Sequence, residues 1–143
     1  MNYVAVIGTG IMAAGIAAGF VARSIPVVIL GRSKEKAEAC LDKALVLAEK
    51  IGISGGYSTQ SRSAVKLSQK FEVLENWSAW EGCDWVIETV AENLQLKQEI
   101  FQYLDGKVPS SIPIGSNSSG FPISKIALGL KTANRMMGAH YFM

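Results

Sequence analysis

The stretch VIGTGIMAAGIA, residues 6–17, sets two glycines, Gly8 and Gly10, two positions apart at the end of an apolar run and the start of a segment rich in small residues. Alone, the pattern G-x-G-x-x-G/A is a weak signal, because any tight turn uses glycine. Its flanks decide. Tyr3 to Ile7 reads as a short buried strand and Ile11 to Arg23 as a helix whose alanines and glycines allow close packing on a sheet. Ile25-Pro26 breaks that helix, and Val27 to Leu30, apolar and β-branched, reads as a second buried strand. In a dinucleotide-binding βαβ unit the first glycine permits the turn, the second lets the backbone approach the pyrophosphate, and the third small residue packs helix on strand. Gly8, Gly10 and Ala13 occupy those places, and Ile11 and Met12 open a helix whose N–H groups and positive dipole end face the phosphates.

The alternation continues along the chain. Ser33 is the expected N-cap of an amphipathic helix over Lys34 to Ile51. Gly52 to Ser63, rich in glycine and hydroxyl residues, reads as a loop, followed by a short helix over Ala64 to Lys70 and a short strand over Phe71 to Leu74. Strands are predicted at Asp84 to Glu88, Ile112 to Ser116 and Met136 to Tyr141, with helices at Leu94 to Leu104 and Ile123 to Leu130. Strands separated by helical crossovers imply an α/β fold with a Rossmann-type, doubly wound, mostly parallel sheet, here one dinucleotide-binding domain over residues 1–143.

Composition narrows the function. Lys and Arg number 14 against 12 Asp and Glu, a net charge of +2 without basic runs, so neither nucleic acid nor an anionic membrane is an expected partner. The apolar stretch Ile11 to Ala22 is too short to span a bilayer, and nothing after Met1 resembles a secretory signal, so the expected location is cytoplasmic. Cys40 and Cys83 stand alone without metal-ligand spacing and read as reduced structural thiols; no metal is expected.

The end of the second strand bears on the cofactor. An acidic residue there binds the adenosine ribose hydroxyls in NAD enzymes. This chain has Leu30-Gly31-Arg32-Ser33 instead. Arg32 is suited to a 2′-phosphate, with Gly31 leaving room for it, which leans the choice toward NADP. Its alternatives are a solvated loop charge or stacking on adenine.

Four stretches together resemble one family. VIGTGIMAAGIA at 6–17, VIETVAENLQLKQEIF at 86–101, GSNSSGFPISKIA at 115–127 and RMMGAHYF at 135–142 are similar, in order and spacing, to motifs of the N-terminal cofactor-binding domain of the 3-hydroxyacyl-CoA dehydrogenases. The resemblance implies fatty acid metabolism and an oxidoreductase that moves a hydride between C3 of a 3-hydroxyacyl-CoA and a nicotinamide. A lone histidine is ordinarily structural, but the resemblance implies that His140, in Gly138-Ala139-His140-Tyr141-Phe142, is the general base. It implies that Glu92 supports the imidazolium, with Glu88 the weaker candidate, and that Ser119 holds the substrate oxygen near the cofactor. Lys97 matches a family lysine that contacts the cofactor, whereas by position alone it reads equally as a solvated helix lysine. Glu92 and Ser119 also have plain alternatives, as a carboxylate at a helix start and as loop chemistry.

There are departures from the family pattern. Met143 stands where the family has an asparagine, and the family's usual NAD preference conflicts with Gly31-Arg32. The resemblance further implies an all-helical second domain that closes over the acyl chain and forms a homodimer; the chain by itself is expected to be inactive. A hydroxyacid dehydrogenase acting on a small non-CoA substrate and a non-catalytic nucleotide-binding module are the alternatives.

Overall fold

The structure is a computed structural model and describes residues 2–55 and 69–141. Six strands, β1 (Tyr3–Ile7), β2 (Val27–Gly31), β3 (Lys70–Val73), β4 (Cys83–Glu88), β5 (Ile114–Ser116) and β6 (Met136–Gly138), form one sheet in the order β3-β2-β1-β4-β5-β6. Every pairing is parallel, so the mostly parallel expectation is met in full.

Successive residues of a strand face opposite sides, and β1 and β2 use this to build two cores. Val4, Val6, Val27 and Ile29 pack with helices α1 (Ile11–Val21) and α2 (Lys34–Gly55) on one side. Ala5, Ile7, Val28 and Leu30 pack with α3 (Leu94–Lys107) and the single turn α4 (Ile123–Ile126) on the other. Ala13, Ala17 and Ala18 of α1 are fully buried, and their small side chains let the helix lie close to the sheet.

Several boundaries differ from the sequence reading. Helix α1 ends at Val21 and not Arg23, because the chain turns through Ser24 at a left-handed φ of 59° and Ile25 N–H bonds back to Phe20 O. Helix α2 runs past Ile51 to Gly55, since Ile51 still packs on the core and one glycine costs a helix only about 1 kcal/mol. Residues 52–55 are therefore helical, not loop; the rest of the predicted loop and most of the helix predicted over Ala64 to Lys70 lie outside the described residues, and Lys70 itself begins β3. Helix α4 stops at Ile126, and Gly129 at φ 77° turns the chain away. Strand β5 starts at Ile114, after Pro113, which lacks the N–H a ladder needs. Strand β6 stops at Gly138, because Tyr141 N–H is taken by Asn117 Oδ1 at 2.7 Å and not by a neighbouring strand.

Candidate functional site

Strand register aligns the ends that carry the site. Ile7 pairs with Leu30 and Glu88, Glu88 with Ser116, and Ser116 with Gly138, so the loops after β1, β2, β4, β5 and β6 all leave the same edge of the sheet. Strands β1 and β4 are neighbours in the sheet, and the chain winds away from them in opposite directions, the place where such sheets open a crevice. A cavity of about 1180 Å³ lies there.

The glycine turn is divided between two demands. Gly8 has φ +130°, and a Cβ on it would fall 2.7 Å from Thr89 O, so the protein's own packing requires glycine. Gly10 is different: its φ of −83° suits any residue, and a Cβ there would meet nothing within 4 Å. That open space lies at the start of α1, where no side chain caps the helix and no acidic residue occupies the first turn, so its first N–H groups lack a side-chain acceptor. Ile11, 73% exposed, and Met12 line the cavity with the two glycines, whereas Ala13 is buried against the sheet. Backbone that lies bare to the cavity at Gly10, uncapped helix donors and no carboxylate in the helix's first turn fit the pyrophosphate of a dinucleotide.

At the end of β2, Arg32 is exposed, lines the cavity and has no hydrogen bond or ion pair among the described residues. Gly31 lines the cavity, but the space where a side chain on it would stand is not open. Gly31 is buried, and a Cβ on it would lie 2.6 Å from Thr9 Cγ2, so the methyl of Thr9 already fills that volume.

The loop after β4 is anchored from below. Glu88, fully buried, accepts hydrogen bonds from Lys97 Nζ at 2.7 Å and Val90 N–H at 2.7 Å on Oε1, and from Ser116 Oγ at 2.5 Å on Oε2. Lys97 also donates to Val90 O at 3.1 Å and lies 3.6 Å from Glu92 Oε1. The solvated-lysine reading is thus overturned: Lys97 is 1% exposed. Its signal was available, because Lys97, Phe101 and Leu104 share one face of α3 at spacings of four and three, and a lysine on a buried stripe needs a buried partner.

Glu92 precedes the N-cap of that helix, Asn93, whose Oδ1 accepts the Leu96 N–H. Its Oε1 accepts Ser118 Oγ at 2.6 Å and its Oε2 the Gly120 N–H at 3.3 Å. Burial pushes its carboxyl up, but the Ser118 hydroxyl, the Gly120 and Ser119 backbone N–H groups and the Lys97 charge outweigh it and hold it below the usual carboxylate range. Ser118, buried and bonded to Glu92, is a site residue that the sequence reading passed over in favour of its neighbour Ser119, which is exposed and lines the cavity.

His140 lines the cavity from the β6 side. Its ring lies over Gly138, where a Cβ would come within 3.3 Å of Nε2. The imidazole is exposed and makes no hydrogen bond to Glu92, whose oxygens are held by Ser118, Gly120 and Lys97. Asn117 ties the three strand ends together, donating its backbone N–H to Glu88 O, its Nδ2 to Thr89 Oγ1 and accepting Tyr141 N–H on Oδ1.

Comparison with known proteins agrees with this geometry. The family profile described as 3-hydroxyacyl-CoA dehydrogenase, NAD binding domain, matches residues 3–143. The peroxisomal fatty acid beta-oxidation multifunctional protein MFP2 of Arabidopsis thaliana is 30% identical over 142 residues, 97% of this chain and 19% of that protein. The chain thus spans about a fifth of the length of such relatives. Among solved structures, M. tuberculosis FadB2 is 29% identical with a TM-score of 0.82, over 99% of this chain and 50% of its own. An NAD+-dependent dismutase, 5-formyl-3-hydroxy-2-methylpyridine 4-carboxylic acid 5-dehydrogenase, is 26% identical with a TM-score of 0.81, over 99% of this chain and 45% of its own. The curated plant relatives, named as peroxisomal or glyoxysomal proteins, overturn the expected cytoplasmic location. The physical reason is that the opening residues on which that expectation rested carry no information about an address read elsewhere in a longer chain.

Proposed function

Because the chain belongs to the 3-hydroxyacyl-CoA dehydrogenase family as its NAD-binding domain, we propose that residues 1–143 hold a nicotinamide dinucleotide for the reversible oxidation of a 3-hydroxyacyl thioester at C3. The observation that carries this reading is the convergence of Gly10, Glu92, Ser119 and His140 on one cavity from four different strand ends. The nicotinamide, when bound, supplies the hydride acceptor. The chain's residues bind, orient and move the proton. Gly8 and Gly10 turn the backbone so that the Ile11 and Met12 N–H groups face the pyrophosphate. Ser119 donates to the C3 oxygen, and His140 takes the hydroxyl proton, for which an imidazole near neutrality is suited. Glu92, kept ionised by Ser118 and Gly120, supplies the negative potential that steadies the imidazolium. His140 reaches it on substrate closure, as catalytic hydrogen bonds that are long in the free enzyme tighten in the complex.

The cofactor reading leans to NADP. Arg32 is exposed on the cavity wall, and no carboxylate ends β2 to repel a 2′-phosphate. Glu75 opposes it: it lies two residues beyond Val73, the partner of Gly31, and lines the same cavity. Arg32→Ala and Glu75→Gln should therefore move the NADPH-to-NADH affinity ratio in opposite directions. The substrate's acyl chain and the dimer contact are assigned to a further helical domain.

A small hydroxy acid in place of the CoA ester is the second reading, favoured by the relative that acts on a pyridine carboxylic acid. The test is reduction of acetoacetyl-CoA and of free acetoacetate, followed by loss of nicotinamide absorbance, in this chain alone and joined to the remaining half of FadB2. Turnover of the thioester in the joined protein only supports the proposal; turnover of the free acid alone favours the second reading. Cofactor binding without turnover of either substrate would leave a nucleotide-binding module.

A further inference from the structure

The geometry points to Thr9 and Gly31 as one specificity element: the Thr9 methyl occupies the volume that a side chain at position 31 needs, so a carboxylate can be seated at the end of β2 only if both positions change. The inference rests on the dinucleotide reading above and concerns how the adenosine ribose is read.

Three observations carry it. A Cβ on Gly31 would lie 2.6 Å from Thr9 Cγ2, closer than real Cβ contacts come, while its next neighbours, Ser33 O at 3.6 Å and Ala37 Cβ at 3.7 Å, are at ordinary contact. Thr9 is thus the whole obstacle. Thr9 is β-branched, so its χ1 has few wells to move into, and the backbone before it is fixed where Gly8 packs against Thr89. Both residues line the cavity beside Arg32. The effect is a division of labour. The strand end offers no carboxylate for ribose hydroxyls, and the turn holds that space closed. Charge recognition passes to Arg32, whose guanidinium suits a 2′-phosphorylated ribose. A single Gly31→Asp exchange therefore pushes against Thr9 before it can reach a ribose.

The experiment is a double-mutant cycle on the 143-residue chain with Thr9→Ser, which removes only Cγ2, and Gly31→Asp. NADH and NADPH binding are followed by nicotinamide fluorescence and folding by thermal unfolding. Gly31→Asp alone should weaken both dinucleotides and lower the Tm, with the NADH-to-NADPH affinity ratio moving less than about threefold. Thr9→Ser with Gly31→Asp should recover most of the Tm and move the ratio toward NADH by roughly tenfold or more, since the carboxylate now meets the ribose and repels a phosphate. The pair is overturned if Gly31→Asp alone gives the full swing, or if the two Tm changes simply add. Failure of either dinucleotide to bind the unaltered chain would overturn the underlying reading, and the specificity assignment with it, and is seen before any variant is made.

Discussion

Lys97 Nζ lies 2.7 Å from Glu88 Oε1, and both side chains are shut away from solvent, at 2% and 0% exposure. Each buried charge has further hydrogen bonds: Glu88 also takes the Val90 N–H and the Ser116 hydroxyl, and Lys97 also donates to Val90 O. The pair therefore clamps residues 88–92 to α3 and to β5, and Glu92 is aimed into the cavity by that clamp.

Removing one partner leaves the other charged and buried. Lys97→Met should cost about 3–5 kcal/mol of stability by denaturant titration, and Lys97→Met with Glu88→Gln should cost clearly less than the sum of the two single changes. Additive losses would show that the two charges do not act as a pair.

How much of this was legible follows from the range of each interaction. The Gly8–Gly10 turn was readable because its causes are local: a strand before, a helix after, and a second strand 20 residues on. The Glu88–Lys97 clamp spans a loop and a helix turn, and a residue-by-residue reading sends a helix lysine to water; only its place on the Phe101–Leu104 face marks it as buried. Thr9 against Gly31 was invisible for a different reason. Whether a missing Cβ leaves space or has already been filled depends on the relative setting of two strands, which no spacing encodes.

The proposed base and its carboxylate separate in kinetics. In the form that turns over, His140→Ala should lower kcat by about 10²–10⁴ with dinucleotide affinity nearly unchanged, since proton transfer and phosphate binding use different groups. Glu92→Gln keeps the shape and loses the charge, so it should give a smaller loss and move the acid limb of the pH–rate profile to lower pH. A kcat unaffected by His140→Ala removes it from the mechanism; an unmoved profile removes Glu92 as its support.

Glu92 also marks the pH dependence of folding. Burial raises its pKa, but the Ser118 and Gly120 hydrogen bonds and Lys97 outweigh this and set it below the usual range. Asp105 is lowered likewise, first by the Thr132 hydroxyl and then by the Thr132 and Lys131 backbone N–H groups. Groups with lowered folded-state values bind fewer protons folded than unfolded, so their stabilisation is complete above the ordinary carboxylate value and is lost as pH falls through the lowered one. The Tm should be flat near neutrality and fall below about pH 5, with a shallower fall in Glu92→Gln. Equal slopes in the two proteins would mean that Glu92 contributes nothing to acid unfolding.

The two glycines of the opening turn should fail in opposite ways. Gly8 holds φ +130° with Thr89 O only 2.7 Å from where a Cβ would stand, so Gly8→Ala strains the backbone and pushes β1 from β4 at the sheet's centre. It should lose about 1–3 kcal/mol of stability, visible with no ligand present. Gly10 has an ordinary φ of −83° and open space in front of it, so Gly10→Ala should leave stability within about 0.5 kcal/mol. The same methyl, however, would stand where the pyrophosphate has to touch the backbone, and dinucleotide affinity should fall by roughly tenfold or more, about 1.4 kcal/mol. Thermal unfolding and NADPH fluorescence titration on the two variants give four numbers. A Gly10→Ala protein that is both fully stable and fully competent to bind would place the pyrophosphate elsewhere in the cavity, because among the described residues no other contact needs position 10 to be bare.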